Sequence, residues 1–137
     1  MLLLTGSLCE AGHYCVAATS RDKMLNDFRC AAGIWCDAGV NVVPSKASHP
    51  CPFGKYCVEA TPTPVNCRAG TFNPTLGIGS LAECTICPAG AYCLEGSHNI
   101  TGYCDPGYYC EAGSDGPFPR PCPGGKVYSI FTICLFY

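Results

Sequence analysis

Cysteine is the residue whose number and spacing could do chemistry in this chain, at 14 of 137 residues. Three chemistries compete for such a set: disulfide formation, metal ligation and thiol redox work. A content near a tenth in a short chain is the mark of a disulfide scaffold. The even number permits complete pairing, which needs an oxidising compartment. Zinc needs more than the sequence offers. Only Cys84-Thr-Ile-Cys87 has zinc-knuckle spacing, and His13, His49 and His98 are scattered. The same pair could suggest thioredoxin-like redox chemistry, but no βαβ pattern surrounds it. Acidic residues are too dispersed for a calcium loop. No nucleophile elbow, phosphate loop or Ser/His/Asp set is present. The expectation is therefore a protein that is not an enzyme, with no catalytic residue, metal site or cofactor.

The cysteines recur in a unit. Five segments obey Cys-x-x-Gly-x-(Tyr/Trp)-Cys: 9–15, 30–36, 51–57, 87–93 and 104–110. Two more begin alike and then diverge, Cys67-Arg-Ala-Gly-Thr-Phe and Cys122-Pro-Gly-Gly-Lys-Val-Tyr. Units start at 9, 30, 51, 67, 87, 104 and 122, a period of 16 to 21 residues. The glycine of each unit (Gly12, Gly33, Gly54, Gly90, Gly107) falls where a tight turn needs positive φ. Pro52 and Pro88, one past a cysteine, are expected to preset φ for that turn. The aromatic before the closing cysteine (Tyr14, Trp35, Tyr56, Tyr92, Tyr109) is a structural residue. Its ring can lie over a disulfide and bury much area where little else is buried.

Such units predict a small disulfide-rich repeat fold. It should be elongated, mostly loops and turns with short two-stranded β ladders and little helix. Sixteen Gly and twelve Pro interrupt the chain too often for long elements. Residues 22–28 (DKMLNDF) could hold one short helical turn. Residues 60–65 (ATPTPV) read as extended, polyproline-like chain, and residues 113–121 as turns. Stacked units should touch mainly their neighbours.

The simplest pairing is sequential: Cys9–Cys15, Cys30–Cys36, Cys51–Cys57, Cys67–Cys84, Cys87–Cys93, Cys104–Cys110 and Cys122–Cys134. It uses every cysteine once and closes five small rings around a glycine turn. A ring this small restricts the unfolded chain by roughly 2–2.5 kcal/mol. A shifted register, with bonds such as Cys15–Cys30, Cys36–Cys51 and Cys93–Cys104, closes larger loops and remains an alternative. Applied throughout, it strands terminal cysteines.

The stretch from Cys67 to Cys93 (CRAGTFNPTLGIGSLAECTICPAGAYC) resembles the ephrin-receptor-like cysteine-rich repeats of large extracellular proteins. These are cousins of the tumour-necrosis-factor-receptor modules. Residues 51–125 match well, and residues 9–50 match only through the Cys-x5-Cys units. The resemblance implies an elongated, disulfide-rich, secreted or ectodomain module without catalysis, and no particular ligand. The chain divides into an N-terminal lead (1–8), three Cys-x5-Cys units (9–66), ephrin-receptor-like repeats (67–121) and a divergent last unit with an apolar tail (122–137). After Lys126 the pattern fails, and residues 127–137 read as a different segment or an artefact of gene prediction.

Charge and modification complete the expectation. A net charge of −2 offers no footprint for nucleic acid. The apolar stretch 127–137 is too short to span a bilayer. No signal peptide is visible at residues 1–8, so the chain reads as a fragment. Asn99-Ile-Thr is an N-glycosylation sequon, and Thr61 and Thr63 are weaker O-glycan candidates. The expected protein is an extracellular or cell-surface structural segment of a matrix, surface or filament component. Its partners would be further copies of itself or other extracellular proteins, with glycans on its surface. The alternative is a receptor ectodomain fragment that binds a protein ligand.

Overall fold

The computed structural model describes residues 9–16 and 28–124, and the backbone of two further strands, Lys126–Tyr128 and Cys134–Phe136. The lead at 1–8 and most of the expected helical turn, residues 22–27, lie outside the described residues. The described chain has no α-helix, only a single 3-10 turn at Leu81–Glu83. Everything else is loop, turn or antiparallel strand, the small disulfide-rich class.

Each unit begins with the same turn. Gly54 holds φ at 71°, and the Lys55 amide closes the turn on the Pro52 carbonyl at 3.3 Å. A four-residue turn with positive φ at its third residue is the type II pattern, which glycine fills without steric cost. Pro52 is the first residue of that turn and Pro88 the first of its counterpart, closed by Ala91 at 3.2 Å. Their fixed φ therefore lies just before the two central residues. The expectation that proline presets the turn itself is corrected.

After the turn the chain runs extended for two residues, then loops out and returns to pair with itself. Lys55–Tyr56 pairs Val65–Asn66, Thr71–Phe72 pairs Thr85–Ile86, and Ala91–Tyr92 pairs Gly102–Tyr103. Tyr108–Tyr109 pairs Arg120–Pro121 likewise. The register never changes: the residue four past an opening cysteine faces the residue just before the next one. In the first two units this is one bridge each, His13 to Arg29 and Ile34 to Pro50. The strands stay short because a staple closes at one end and the next unit begins at the other. In the last pair Lys126, four past Cys122, faces Phe136, which Tyr137 rather than a cysteine follows. Backbone pairing thus continues beyond Lys126, where the residue pattern was expected to fail.

The core is largely the cysteines themselves. Cys30, Cys36, Cys51, Cys57, Cys67, Cys87 and Cys93 are fully buried, while Ile34, Ile78 and Ala91 are the only aliphatic members among the described residues. Three small clusters result. Cys30, Ile34 and Cys36 carry Tyr14 and Val40 against them. Cys67, Ile78 and Cys84 carry Tyr56 and Leu81. Cys87, Ala91 and Cys93 carry Phe72 and Ile100. In every cluster the ring comes from the preceding unit, so an aromatic covers the next staple along.

Candidate functional site

No cleft with convergent polar groups stands out among the described residues. The feature repeated along the chain is the joint between consecutive units, built from cysteine and glycine backbone. The joint between the units at 87 and 104 shows its parts. The Gly90 amide donates to the Cys110 carbonyl at 2.9 Å, and the Gly113 amide to the Cys87 carbonyl at 2.8 Å. The Cys93 amide donates to the Ser114 carbonyl at 3.0 Å, and the Cys104 amide to the Gly90 carbonyl at 3.2 Å. The same four bonds join the first two units, through Gly12 to Cys36, Gly39 to Cys9, Cys15 to Val40 and Cys30 to Gly12, all between 2.8 and 2.9 Å. Buried backbone groups that would otherwise be orphaned are thus satisfied by the neighbouring unit.

Six disulfides hold these turns: Cys9–Cys15, Cys30–Cys36, Cys51–Cys57, Cys67–Cys84, Cys87–Cys93 and Cys104–Cys110. Their Cα separations run from 5.8 to 6.3 Å. That matches the usual span of the bond. Cys122 is also disulfide-bonded. The side chain of Cys134, its expected partner, lies outside the described residues. Cys84 and Cys87 belong to different bridges, so this Cys-x-x-Cys presents no dithiol.

Two parts of the joint escaped the sequence reading. One is a second turn glycine, three residues past the closing cysteine. Gly39, Gly96 and Gly113 hold positive φ there, and Ala60 takes φ 57° at the same place. Ala60 is the one non-glycine with positive φ among the described residues. The signal was present in Cys36-Asp-Ala-Gly39, Cys93-Leu-Glu-Gly96 and Cys110-Glu-Ala-Gly113, each Cys-x-x-Gly after the closing cysteine.

The other is Asn73. It stands six residues past Cys67, where the other units close their ring, and it is 1% exposed. Its backbone makes the bonds of a closing cysteine: its carbonyl accepts from Gly54 and its amide donates to Ser97, both at 3.0 Å. Its side chain replaces the staple with hydrogen bonds. Nδ2 donates to the Lys55 carbonyl at 3.1 Å and the Thr75 carbonyl at 2.8 Å. Oδ1 accepts from the Thr75 amide at 3.0 Å and hydroxyl at 2.9 Å. All four hydrogen-bonding positions of the amide are used. Cys67 is then free to reach Cys84, across the 3-10 turn.

The remaining expected residues fall as follows. Tyr14 packs edge-on to Phe28 with ring centroids 5.3 Å apart. Trp35 is half-buried and donates from Nε1 to the Pro62 carbonyl at 3.4 Å. Tyr92 and Tyr109 are half-buried. Asn99 is exposed in the loop between Ser97 and Thr101, and its Oδ1 accepts from the Ile100 amide at 2.8 Å. Thr63 is exposed, whereas Thr61 is 4% exposed and sits inside the joint. A sugar on Thr61 would have to push it out of the stack, so Thr61 is withdrawn as an attachment point. Among the described residues, the ion pairs Arg29–Glu59 at 3.9 Å and Arg120–Glu111 at 3.4 Å join exposed side chains and contribute little.

No protein-family model matches the chain, and no curated protein matches it.

Proposed function

We propose that this protein is a non-catalytic structural repeat of the extracellular space or cell surface, a segment that builds length by stacking. The observation that carries the reading is the joint itself. Buried backbone groups join unit to unit, and the staples within each unit hold the turns that present them. Disulfides in this number persist in oxidising compartments, which favours a secreted or surface location. The resemblance to ephrin-receptor-like and tumour-necrosis-factor-receptor-like repeats points the same way. Exposed Asn99 and Thr63 are positions where glycans can be added to such a surface without disturbing the stack.

A second reading, a receptor-type module that binds a protein ligand, has one observation in its favour. Ile86, Tyr103 and Phe118, at 63%, 69% and 58% exposed, are among the large apolar side chains that the surface presents to solvent, as is Val43 at 68%.

Sedimentation and electron microscopy of the non-reduced protein over a concentration series separate the two. Assembly into chains of units supports the structural reading. A stable monomer at every concentration rejects it and leaves the binding module.

A further inference from the structure

The joint between the units of Cys87 and Cys104 carries a chemical weakness that the other joints lack. The Cys93 amide donates there to the carbonyl of Ser114, a buried residue, at 3.0 Å. Asp115 follows that acceptor, and Gly116 follows Asp115. At the corresponding place, after the acceptor carbonyls of Val40, Ile78 and Ser97, stand Asn41, Gly79 and His98. Asp115 is exposed. The Gly116 amide donates to nothing among the described residues. Apart from its chain neighbours, no heavy atom lies within 4 Å of where a Cβ on Gly116 would be. The nitrogen is therefore neither tied by a hydrogen bond nor crowded by a side chain of its own.

We propose that Asp115 is a site of spontaneous isomerisation to isoaspartate, with the chain as its own substrate and water as the only co-reactant. The Gly116 nitrogen gives up its proton and attacks Cγ of the Asp115 carboxylic acid. An N–Cγ bond forms, a Cγ–O bond breaks, and one water leaves as a cyclic imide closes. Water then opens the imide. Cleavage of the N–Cγ bond restores aspartate. Cleavage between the nitrogen and the former main-chain carbonyl carbon leaves isoaspartate, with the main chain routed through Cβ and Cγ. No electrons are exchanged, and the atomic composition is unchanged.

The other described acids and amides are closed to this route or hindered in it. The Ala38 amide donates to Asp37 Oδ1 and the Ile100 amide to Asn99 Oδ1, both at 2.8 Å, which keeps the proton on nitrogen. Asp105 and Asn73 precede proline, which has no amide proton to give up. The Cys67 amide, after Asn66, donates to the Gly54 carbonyl at 2.9 Å. Asn41 precedes Val42, whose branched side chain crowds the nitrogen. At Asp115 the product main chain is longer by one C–C bond, about 1.5 Å. The added length falls between two pinned carbonyls, that of Ser114 and that of Pro117, which accepts from the Asp105 amide at 3.2 Å. Isomerisation loosens this joint with age, whichever reading of function holds.

Full-length, non-reduced protein is kept at neutral pH and body temperature in water enriched in heavy oxygen, and its peptides are mapped at intervals. Hydrolysis of the imide leaves a heavy oxygen on the residue, and the isoaspartyl peptide separates from the aspartyl one. Label and isoaspartate should accumulate at Asp115 about tenfold or more faster than label at Asp37 or Asp105 in the same molecules, and about tenfold faster than at Asp115 in Gly116→Ala. Alanine fits at this position, because Gly116 does not hold positive φ and its Cβ site is open. Labelling of Asp115 no faster than of Asp37, or undiminished in the variant, overturns the proposal. Should the variant misfold, the comparison within the wild type decides by itself. In the isomerised fraction the Cys93 amide should exchange about tenfold faster while the Cys15 amide does not change. Unchanged exchange at Cys93 overturns the loosening of the joint.

Discussion

Asn73 does with four hydrogen bonds what its counterparts do with a covalent bond, and removing it measures what that substitution is worth. Asn73→Ala deletes both donations from Nδ2 and both acceptances at Oδ1. A net hydrogen bond contributes about 1 kcal/mol, and a buried group left unpaired costs about 1–3 kcal/mol. Thr75 is exposed and recovers its bonds from water, so its share is small. The carbonyl of Lys55 is within the first joint strand and recovers less readily. The balance is a loss of about 2–3 kcal/mol. Urea unfolding with all bridges oxidised measures it as a midpoint shift at constant slope. Asn73→Asp sharpens the test. A carboxylate keeps the two acceptances from Thr75 but turns an acceptor toward two carbonyl oxygens. Burial and those oxygens favour the protonated acid, so the folded pKa of the new group lies above its unfolded value. The penalty is then greatest at neutral pH and shrinks as pH falls through that raised value. An alanine variant within about 0.5 kcal/mol of wild type would refute the reasoning. So would an aspartate variant that fares worse in acid than at pH 7, after correction for the wild type.

Three further outcomes follow from the same joint. Ala60→Gly removes the strain of φ 57° on a residue with a Cβ. The relief is partly offset by the freer unfolded chain, leaving a gain of about 0.5–1 kcal/mol in the urea midpoint. Replacing Cys67 and Cys84 together by alanine opens a ring of sequence separation 17, against 6 for Cys87 and Cys93. The loop-entropy terms are about 3 and about 2.4 kcal/mol, so the first double variant should be the less stable, judged by the same unfolding assay. Glu83 accepts from the Gly79 amide at 2.9 Å and the Ser80 hydroxyl at 3.1 Å. Those bonds, the Gly79 amide first, hold its carboxyl below the ordinary value. Its contribution is therefore full above the unfolded pKa of about 4.3 and lost as pH falls through the lowered folded value. The melting-temperature gap between wild type and Glu83→Gln should be small at pH 7 and vanish near pH 2.

The fold class was legible because one cause, the Cys-x-x-Gly turn, governs both the staple and the strand that follows it. Two of the aromatics before a closing cysteine, Tyr14 and Tyr56, pack against cysteine clusters. What the residue pattern did not announce was direction. Tyr14 and Tyr56 cover the next unit's cysteines, because the staple fixes the turn but the hairpin carries the ring forward. The second-turn glycine was missed because its Cys-x-x-Gly begins at a closing cysteine and is broken at Ala60. Asn73 was not singled out, because asparagine in a Gly/Pro-rich stretch is ordinarily a turn residue. Only its burial shows it to be standing in for a cysteine. Thr61 read as accessible because Pro62 and Pro64 follow it in an extended stretch. The extended chain there lies within the joint instead, and Trp35 anchors it at Pro62.

Four first-turn glycines lie beneath a backbone carbonyl from the unit two further along, Gly12 under Ala60, Gly33 under Gly77, Gly54 under Gly96 and Gly70 under Gly113, and this second-neighbour contact changes how such a repeat should fail. In a nearest-neighbour array, damage in one unit is felt by the adjoining units alone. Here the turn of one unit also supports the unit beyond its neighbour. Gly54 and Gly107 make a matched pair with which to isolate that support. Both hold positive φ, 71° and 89°, so alanine suffers similar backbone strain at each. At Gly107 that strain, about 1 kcal/mol, is the whole effect, since no atom is in the way. At Gly54 the new Cβ must also displace the Gly96 carbonyl, which belongs to backbone and cannot rotate aside. The Gly96 amide is meanwhile tied to the Cys67 carbonyl at 2.9 Å, so the push is passed to the intervening unit. Gly54→Ala should therefore cost about 3 kcal/mol or more and speed exchange of the Gly96 amide, more than forty residues away in sequence. If the two alanine variants lose equal stability, the carbonyl over Gly54 is a yielding contact, and the units couple only to their immediate neighbours.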